Sequence, residues 1–261
     1  MKFPSASLDE ASKGVSERRR SASADRARGG LPMTIRALLF VHGAFHGPWC
    51  WDEIVRRMQS PEVVCRCVEL YRGGLEEDAA AVREEVDALA SEGCSVAVVG
   101  HSLGCVSLSH LGPERIGHAV FLAGPVVGPG LPDVQEGGEP RFIASVDTSD
   151  DGVMTIDAAV AREFFYHDCD PEMTEWAIGK LRPNLAYGPL SRPGPPLYES
   201  VPSTYLWCDH DRAVLPDYQR EIARHMRYSE GFATSHSPML SAPDELSAAL
   251  MRVLERTPAR G

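Results

Sequence analysis

The stretch that decides the fold is SVAVVGHSLGCVSLSHL, residues 95–111. Its apolar run ends at Gly100, Ser102 follows two residues later, and Gly104 lies two residues beyond the serine. A Gly-x-Ser-x-Gly pattern between an apolar strand and a short helix is typical of a tight turn that exposes a nucleophilic serine. Glycine on both sides leaves room for the strained backbone that such a turn requires. The alternative is a serine that only packs within a turn between a strand and a helix.

Around this stretch, apolar runs alternate with helical patterns from Met33 to near the C-terminus. We predict strands at residues 35–41, 62–70, 95–100, 118–124 and 203–209, with a short one near 228–234. We predict helices at residues 48–60, 76–93, 103–111, 216–226 and 243–256. This alternation predicts an α/β fold, in which a mainly parallel sheet carries helices on both faces.

The chain divides into three parts. Residues 33–124 and 201–261 carry the alternation and form the predicted core. Residues 125–200, called the insertion below, are rich in Pro and Gly at both ends, and residues 157–183 within them read as two helices, the second after Asp170-Pro171. An insertion between strands is a candidate lid over a site, and a long structured loop is the alternative. Residues 1–32 are rich in Ser and Arg without aliphatic periodicity, which predicts a disordered tail or an extension ahead of the core.

Composition limits the classes of partner. The chain has 261 residues and a formal net charge of −11, which disfavours nucleic acid or an anionic membrane as its main partner. No apolar run approaches the roughly 20 residues that a membrane span needs. Seven cysteines, an odd number spread along the chain, read as free thiols in a reducing cytoplasm, so we expect a cytoplasmic protein.

A serine hydroxyl is a weak nucleophile near neutral pH, so it needs a base, a group that orients the base, and donors for the oxyanion. His236 has the chain position expected of the base, in a loop between the last predicted strand and the last helix. Asp209 and Asp211 both follow the preceding strand. We prefer Asp211, because it lies on the turn beyond the strand, where a carboxylate can reach His236. The resulting order of Ser102, Asp211 and His236 is that of α/β-hydrolases.

The oxyanion donors are predicted from two backbone turns. One N–H should come from Leu103, directly after the nucleophile, and the other from the loop after the first strand, VHGAFHGPW, residues 41–49. In that loop His42-Gly43 permits a close backbone approach, so Ala44 is the predicted second donor. Losing one donor of such a hole typically lowers the rate by about 10²–10³.

These segments resemble one family within the α/β-hydrolases: the methyl esterases that cleave plant-hormone esters, the hydroxynitrile lyases, methylketone-forming thioesterases, and their bacterial relatives. The resemblance covers residues 35–256 and is carried by LLFVHGAFHGPWCWDEI (38–54), VVGHSLG (98–104), FYHDCDPEMTEWAIGKLRP (165–183), CDHDRAVLPDYQ (208–219) and SHSPMLSAPDEL (235–246). It implies the same triad and the same oxyanion donors, and its D-R-A-x-x-P-x-x-Q segment independently favours Asp211 over Asp209. It also implies an α/β-hydrolase fold with an inserted helical lid that closes an apolar pocket over the serine.

The chain departs from the family pattern at three positions. Hydroxynitrile lyases carry a threonine in the first loop and a lysine just after the histidine, where this chain has Gly43 and Ser237. Without that lysine to stabilise a leaving cyanide, lyase activity of this type is disfavoured. Ser237 is expected to make the pocket wall more polar. Cys105 stands where many relatives have a second glycine, and we expect it to alter how the nucleophile helix packs on the sheet.

We therefore expect a carboxylic ester hydrolase that works without metal or cofactor on a small, mostly apolar molecule. The residues expected to line its pocket are Phe45, Phe164, Phe165, Trp176, Leu181 and Met239. Two alternatives stay open at this point. The first is an elimination, cyclisation or carbon–carbon cleavage of a small natural product by the His–Asp pair. The second is a binding protein on a hydrolase scaffold. The sequence indicates neither a nucleic-acid nor a membrane partner and leaves a homodimer open.

Overall fold

A parallel β-sheet forms the centre of this computed structural model, which describes residues 35–71, 73–188 and 195–258. The predicted tail, residues 1–32, lies outside the described residues. The strands are β1 (Arg36–Val41), β2 (Val63–Val68), β3 (Ser95–His101), β4 (Ile116–Leu122), β5 (Asp147–Thr148), β6 (Val153–Thr155), β7 (Asn184–Leu185), β8 (Ser203–Cys208) and β9 (Tyr228–Phe232). Six of them form the main sheet in the order β2-β1-β3-β4-β8-β9, and every neighbouring pair in it is parallel.

The helices predicted from the sequence are present in the predicted order, and three further helices of four residues each lie among them. They are α1 (Asp52–Met58), α2 (Leu75–Ser91), α3 (Leu103–Ser109), α4 (Pro140–Ile143), α5 (Ala158–Phe164), α6 (Pro171–Ile178), α7 (Leu197–Ser200), α8 (Pro216–Ala223), α9 (Pro238–Ser241) and α10 (Pro243–Arg256). Single 3₁₀ turns cover Pro48–Trp51 and Val134–Glu136. The α/β fold predicted from the alternation of strands and helices is confirmed.

The main sheet is covered on both faces, which explains why its strands read as continuous apolar runs. Every residue of β3 is buried. Alternate residues of β1 enter two separate hydrophobic clusters. Ala37 and Leu39 pack with α2 and α3, whereas Leu38 and Phe40 pack with α1 and α10. The period-two alternation of a strand therefore distributes its side chains between two cores.

Local signals set the ends of the helices. α2 has three acidic residues in its first turn, where negative charge interacts favourably with the helix dipole. Beyond its last turn lies Gly93, whose φ of 89° is a conformation that glycine adopts without strain. α6 begins at Pro171, and the Asp170 side chain accepts a hydrogen bond of 2.9 Å from the Met173 N–H. Such a cap typically contributes about 1 kcal/mol to helix stability.

The insertion contains the two helices predicted from its sequence, α5 and α6, together with the short helices α4 and α7 and a small sheet, which the sequence did not predict. Strands β5, β6 and β7 form a small antiparallel sheet of their own. Two of these strands have only two residues, which is too short to produce a detectable alternation. The boundaries of the insertion and its role as a lid stay predictions.

The fold brings the candidate residues to one edge of the main sheet. Ala44 follows β1, Ser102 follows β3, Asp211 follows β8 and His236 follows β9. Because all these strands are parallel, their carboxyl ends lie along the same edge, which is where open α/β sheets bind their ligands. Within the described residues, no helix is long and apolar enough to cross a membrane. The same residues contain no group of three or more His, Cys, Asp or Glu side chains that could hold a metal ion.

Candidate active site

Ser102 lies on a sharp turn between β3 and α3. Its backbone has φ 51° and ψ −123°, a combination that a residue with a side chain adopts only under strain. Such strain costs of order 1–3 kcal/mol and is commonly found at functional sites. The turn is fixed by the Ser102 N–H, which donates a hydrogen bond of 2.9 Å to Leu122 O on the neighbouring strand. The side chain remains partly exposed, whereas the residues around it are largely buried.

Two glycines allow the backbones around Ser102 to approach closely. A Cβ on Gly104 would lie 2.7 Å from both Val41 O and His42 O. A Cβ on Gly43 would lie 2.7 Å from the Cβ of Ser102. Separations this short do not occur for real Cβ atoms, so the loop after β1 packs against the turn only because glycine stands at both positions. This is the close approach that the His42-Gly43 pair predicts.

Asp211 and His236 are joined by a buried hydrogen bond of 2.7 Å between Oδ2 and Nδ1. The carboxylate has four donors in total, which satisfies its lone pairs away from water. Its Oδ1 accepts from the N–H groups of Ala213 at 2.8 Å and Val214 at 3.0 Å. Its Oδ2 also accepts from Gln219 Nε2 at 2.8 Å. A carboxylate can only accept, so Nδ1 must be the donor and a neutral His236 carries its proton on Nδ1. Its Nε2 is then free of a proton and can accept one.

The other aspartate that the sequence offers is engaged elsewhere. Asp209 Oδ1 accepts from Trp207 Nε1 at 3.0 Å and from Arg220 at 2.5 Å, and its side chain is 37% exposed. Sequence reasoning did not single out Gln219 as a site residue. Its Nε2 donates hydrogen bonds to Asp211 Oδ2 and to Val214 O, and its Oε1 accepts one from the Cys208 N–H. Gln219 is the last residue of the D-R-A-x-x-P-x-x-Q segment, and that pattern is the signal from which it could have been identified.

His236 is enclosed by rings from two directions. The centroid of the His101 ring lies 4.7 Å from that of His236. The ring of Phe165 stacks on the His236 imidazole at a centroid distance of 5.4 Å. His101 Nε2 donates to His236 O at 2.8 Å, which ties the loop of the histidine to the turn of Ser102. Burial lowers the pKa of His101 well below its ordinary value, so this ring is neutral.

Among the described residues, no hydrogen bond joins Ser102 directly to His236. Such bonds are often long in unliganded enzymes and shorten when substrate binds.

The predicted oxyanion donors, Ala44 and Leu103, lie together with Ser102 on the wall of one cavity. Leu103 is the first residue of α3, so its N–H has no partner within the helix. Within the part of the chain that the structure describes, neither the Ala44 N–H nor the Leu103 N–H donates to a protein group. Both donors are therefore available to a bound oxygen.

The loop that carries Ala44 is held by residues far away in the sequence. His46 Nδ1 donates to Ala44 O at 2.7 Å, and its Nε2 accepts from the Tyr166 hydroxyl at 2.7 Å. Burial lowers the pKa of His46 to about 3, so it stays neutral and keeps this arrangement of donors. The Phe45 N–H donates to Asn184 Oδ1 at 3.0 Å, and Phe45 O accepts from the Arg182 N–H at 3.0 Å. None of these supporting contacts was predicted.

The insertion also contacts the loop of His236. The Ser235 N–H donates to Asp168 Oδ2 at 2.6 Å. The Ser235 hydroxyl donates to Phe165 O at 2.9 Å. The loop that carries Ala44 and the loop that carries His236 therefore both form hydrogen bonds with the insertion as well as with the core.

A cavity of about 590 Å³ opens above Ser102. That volume is within the usual range for small-molecule sites, roughly 300–1,000 Å³. None of its lining residues carries a formal charge, and most of them come from the insertion. They are Ala44, Phe45, Ser102, Leu103, Pro125, Val134, Gln135, Gly137, Gly138, Phe142, Ile143, Val146, Thr148, Met154, Phe165, Ala213, Val214 and Tyr218.

Of the six residues predicted to line the pocket, Phe45 and Phe165 line this cavity. Leu181 lies on a separate cavity of about 180 Å³, which Phe45 also lines. The other three predicted residues do not line either of these cavities.

Packing explains where those three side chains lie. Phe164 is buried behind the cavity wall, with its ring centroid 5.4 Å from that of Phe142, which lines the cavity. Trp176 is 40% exposed and contacts Trp49 edge-on. Met239 is fully buried within the core cluster under α1 and α10. The segment 134–148 provides much of the lining instead. Its regular elements have only two to four residues each, which is too short to give a periodic signal in the sequence.

Two of the residues that depart from the family pattern are buried beside the site. The hydroxyl of Ser237 is buried and, among the described residues, has no hydrogen-bond partner; the residue does not line the cavity. The Cys105 thiol donates to Gly100 O at 3.1 Å, under the turn of Ser102. Burial raises the pKa of Cys105 far above its ordinary value, so it packs as a neutral thiol.

Comparisons with known proteins agree with this architecture. The model of the alpha/beta hydrolase family matches residues 38–249. Methyl jasmonate esterase 1 of Vitis vinifera is 27% identical, over 84% of this chain and 97% of its own length. Norfluorocurarine synthase 2 of a Strychnos species is also 27% identical, over 84% of this chain and 95% of its own. The crystal structure of tomato methylketone synthase I with 2-tridecanone covers 86% of this chain and 100% of its own, with a TM-score of 0.73 at 20% identity. The predicted fold and the resemblance to plant methyl esterases are confirmed, and the chain belongs to the alpha/beta hydrolase family.

Proposed function

We propose that this protein is a serine hydrolase that cleaves a small, uncharged carboxylic ester through an acyl-enzyme. One observation carries the proposal. A buried His236, with its proton held on Nδ1 by Asp211, packs against His101, the residue before the strained Ser102. The cavity at that serine presents two backbone N–H groups that have no protein partner within the described residues. These are the base, the orienting group, the nucleophile and the oxyanion donors that acyl transfer requires. Esterases among its relatives support the same reaction.

In the proposed mechanism, His236 Nε2 accepts the proton of the Ser102 hydroxyl as the oxygen attacks the ester carbonyl. The carbonyl electron pair moves to its oxygen, which the N–H groups of Ala44 and Leu103 bind. Asp211 stabilises the imidazolium without taking its proton. When the tetrahedral intermediate collapses, His236 gives that proton to the leaving alkoxide. Water, activated by the same histidine, then releases the acid and restores the serine.

The lining of the cavity supports a neutral and mostly apolar substrate. A charged group would lose its hydration there without gaining an ion pair, which carries a cost of several kcal/mol. The polar side chains on the wall, besides Ser102, include Gln135, Thr148 and Tyr218. These residues provide a few directional contacts within an apolar surface, as is usual for pockets that orient a small molecule.

A series of p-nitrophenyl esters of increasing acyl length tests the proposal. We expect wild-type protein to hydrolyse members of the series and Ser102→Ala to lose activity by several orders of magnitude. Ser91→Ala, which changes an exposed serine at the end of α2, is the matched control and should behave as wild type. Labelling by a fluorophosphonate probe should likewise depend on Ser102. Equal hydrolysis by wild type and Ser102→Ala would refute the serine as nucleophile.

A second candidate is a non-hydrolytic elimination or cyclisation in which the His236–Asp211 pair acts as general base. Two observations support it: the buried hydrogen bond of the His236–Asp211 pair does not involve Ser102, and one relative is named as a synthase. The same variant separates the two reactions. A reaction driven by the histidine alone would keep much of its rate in Ser102→Ala and would fall in a His236→Ala variant.

A further inference from the structure

Tyr71 lies beside the candidate oxyanion hole although it is not part of the cavity wall. It follows β2 and adopts φ 71°, a left-handed conformation that is unusual for a tyrosine. Its hydroxyl donates a hydrogen bond of 2.5 Å to Gly43 O in the loop after β1. Backbone strain of this kind persists only where other contacts hold it in place, so the hydroxyl contact is a candidate reason for it.

We propose that the Tyr71 hydroxyl is a positioning group for the oxyanion hole, because its bond to Gly43 O fixes the peptide whose N–H belongs to Ala44. The peptides of the described chain are trans, so the carbonyl of Gly43 and the N–H of Ala44 point in opposite directions. Holding the carbonyl toward Tyr71 therefore turns the N–H away from Tyr71 and toward the cavity. This inference rests on the proposed function, which assigns that N–H to the oxyanion.

A second donor acts on the same carbonyl. His42 Nδ1 lies 2.9 Å from Gly43 O, and since a carbonyl can only accept, the proton must be on Nδ1. His42 Nε2 then accepts the N–H of Leu70, the residue just before Tyr71, at 3.3 Å. The segment after β2 thus reaches Gly43 O by two routes, directly through a phenol and indirectly through an imidazole.

The tyrosine is itself held in place by rings and charge. Its ring lies 5.2 Å from that of His42, edge to face, and the Arg182 guanidinium lies 5.1 Å from its centroid. Burial raises the pKa of Tyr71 well above its ordinary value, so near neutral pH the hydroxyl keeps its proton and remains a donor. A Tyr71→Phe substitution would keep these ring contacts and remove only the donor to Gly43 O.

The effect of that substitution should fall on the chemical step. The oxyanion contact is formed in the transition state and not in the ground state, so kcat should fall while KM changes little. Because His42 continues to hold Gly43 O, the loss should be smaller than the 10²–10³ that follows removal of a donor itself. We expect a fall in kcat of about 10-fold, the value of roughly one ordinary hydrogen bond.

The test compares Tyr71→Phe with Tyr198→Phe in the full chain. The Tyr198 hydroxyl also donates to a backbone carbonyl, Pro129 O at 3.0 Å, but away from this loop. We expect Tyr198→Phe to keep kcat and KM within about twofold of wild type, and melting temperatures will show whether the two variants lose comparable stability. Equal kcat values for wild type and Tyr71→Phe on an ester that the wild type hydrolyses would overturn the inference and leave the proposed function intact.

A spectroscopic readout makes the inference independent of catalysis. In a ¹⁵N-labelled sample, the amide resonance of Ala44 should shift and broaden in Tyr71→Phe and stay in place in Tyr198→Phe. If the wild type hydrolyses no ester, the proposed function fails and this resonance still decides whether Tyr71 positions the amide. An Ala44 resonance that is the same in wild type and Tyr71→Phe would overturn the positioning role.

Discussion

Replacing Asp211 by asparagine changes one atom of the site and tests its electrostatics directly. Each oxygen of the carboxylate accepts from two donors: Oδ1 from two backbone N–H groups, Oδ2 from His236 and Gln219. An asparagine must turn its NH₂ group toward one of these pairs. The backbone N–H groups cannot reorient, whereas an imidazole can move its proton to the other nitrogen. The NH₂ group should therefore face His236, and the proton should move to Nε2.

This change of tautomer determines how far kcat should fall in Asp211→Asn. With its proton on Nε2, His236 can no longer accept the proton of Ser102, so the base is lost although the geometry is kept. In a serine protease triad the equivalent substitution lowers kcat by about 10⁴, and we expect a fall of about 10³–10⁴ here. The Gln219 amide also loses one buried acceptor, which should lower the free energy of unfolding by about 1–3 kcal/mol.

The assay is the burst and steady-state hydrolysis of a p-nitrophenyl ester by wild type, Asp211→Asn and Asp209→Asn. Asp209→Asn removes a partly exposed ion pair with Arg220, which should be worth less than about 1 kcal/mol and leave kcat unchanged. Thermal unfolding followed by circular dichroism will show that each variant is folded at the assay temperature. This control matters because both aspartates follow the same strand.

Two results would refute the reasoning. One is an Asp211→Asn protein that is folded and retains kcat within about tenfold of wild type, since a base in the wrong tautomer cannot support that rate. The other is a loss in Asp209→Asn as large as the loss in Asp211→Asn, which would place the effect in the loop and not in the hydrogen bond to His236.

Three further predictions follow from packing and burial. Gly104→Ala, whose Cβ would lie 2.7 Å from Val41 O and His42 O, should lower stability by about 1–3 kcal/mol and lower kcat, measured by urea unfolding and ester hydrolysis. Phe45→Ala should join the cavities of about 590 and 180 Å³ and shift the preferred acyl length upward in the p-nitrophenyl series. An unchanged chain-length profile would show that Phe45 does not separate them. His118 keeps a folded pKa of about 4 because of burial, while the unfolded value is 6.5. As the pH falls from about 7 to about 5.5, His118 therefore takes up a proton only in the unfolded state, which stabilises that state. Over this range the free energy of unfolding of wild type should fall by about 1 kcal/mol more than that of His118→Gln, measured by urea titration.

The sequence was informative wherever a local pattern reports directly on structure. The buried strand before Gly100 and the glycines around Ser102 predict a strand, a turn and a helix within a dozen residues. The positions of Asp211 and His236 follow from chain order, because parallel strands bring successive loops to the same edge of the sheet. Helix α6 was predicted from Asp170-Pro171, a cap followed by a first-turn proline.

The supporting contacts could not be predicted in the same way, because they join residues far apart in the chain. The bond from Tyr71 to Gly43 O, and that from Asn184 to the Phe45 N–H, depend on how separate loops pack together. Nothing in the local sequence of either residue indicates the partner. The cavity wall was also missed, because much of it comes from the segment 134–148, whose helical turns and strand are too short to give a periodic pattern. The prediction had favoured the aromatic residues of two longer helices.

The bonds between the insertion and the loops of the candidate site bear on how this enzyme could be re-engineered. Asn184 holds the amide of Phe45, Arg182 holds its carbonyl, and Asp168 holds the amide of Ser235. A chimaera that exchanges residues 125–200 for the matching segment of a relative would change the pocket, and it would also replace the partners of these three bonds to the loops of the candidate site. Under the proposed function, we therefore expect changes in substrate preference to change the catalytic rate as well. A transplanted segment that brings acceptors and donors equivalent to these three should retain turnover, and one chosen for the shape of its pocket alone should bind its substrate and convert it slowly.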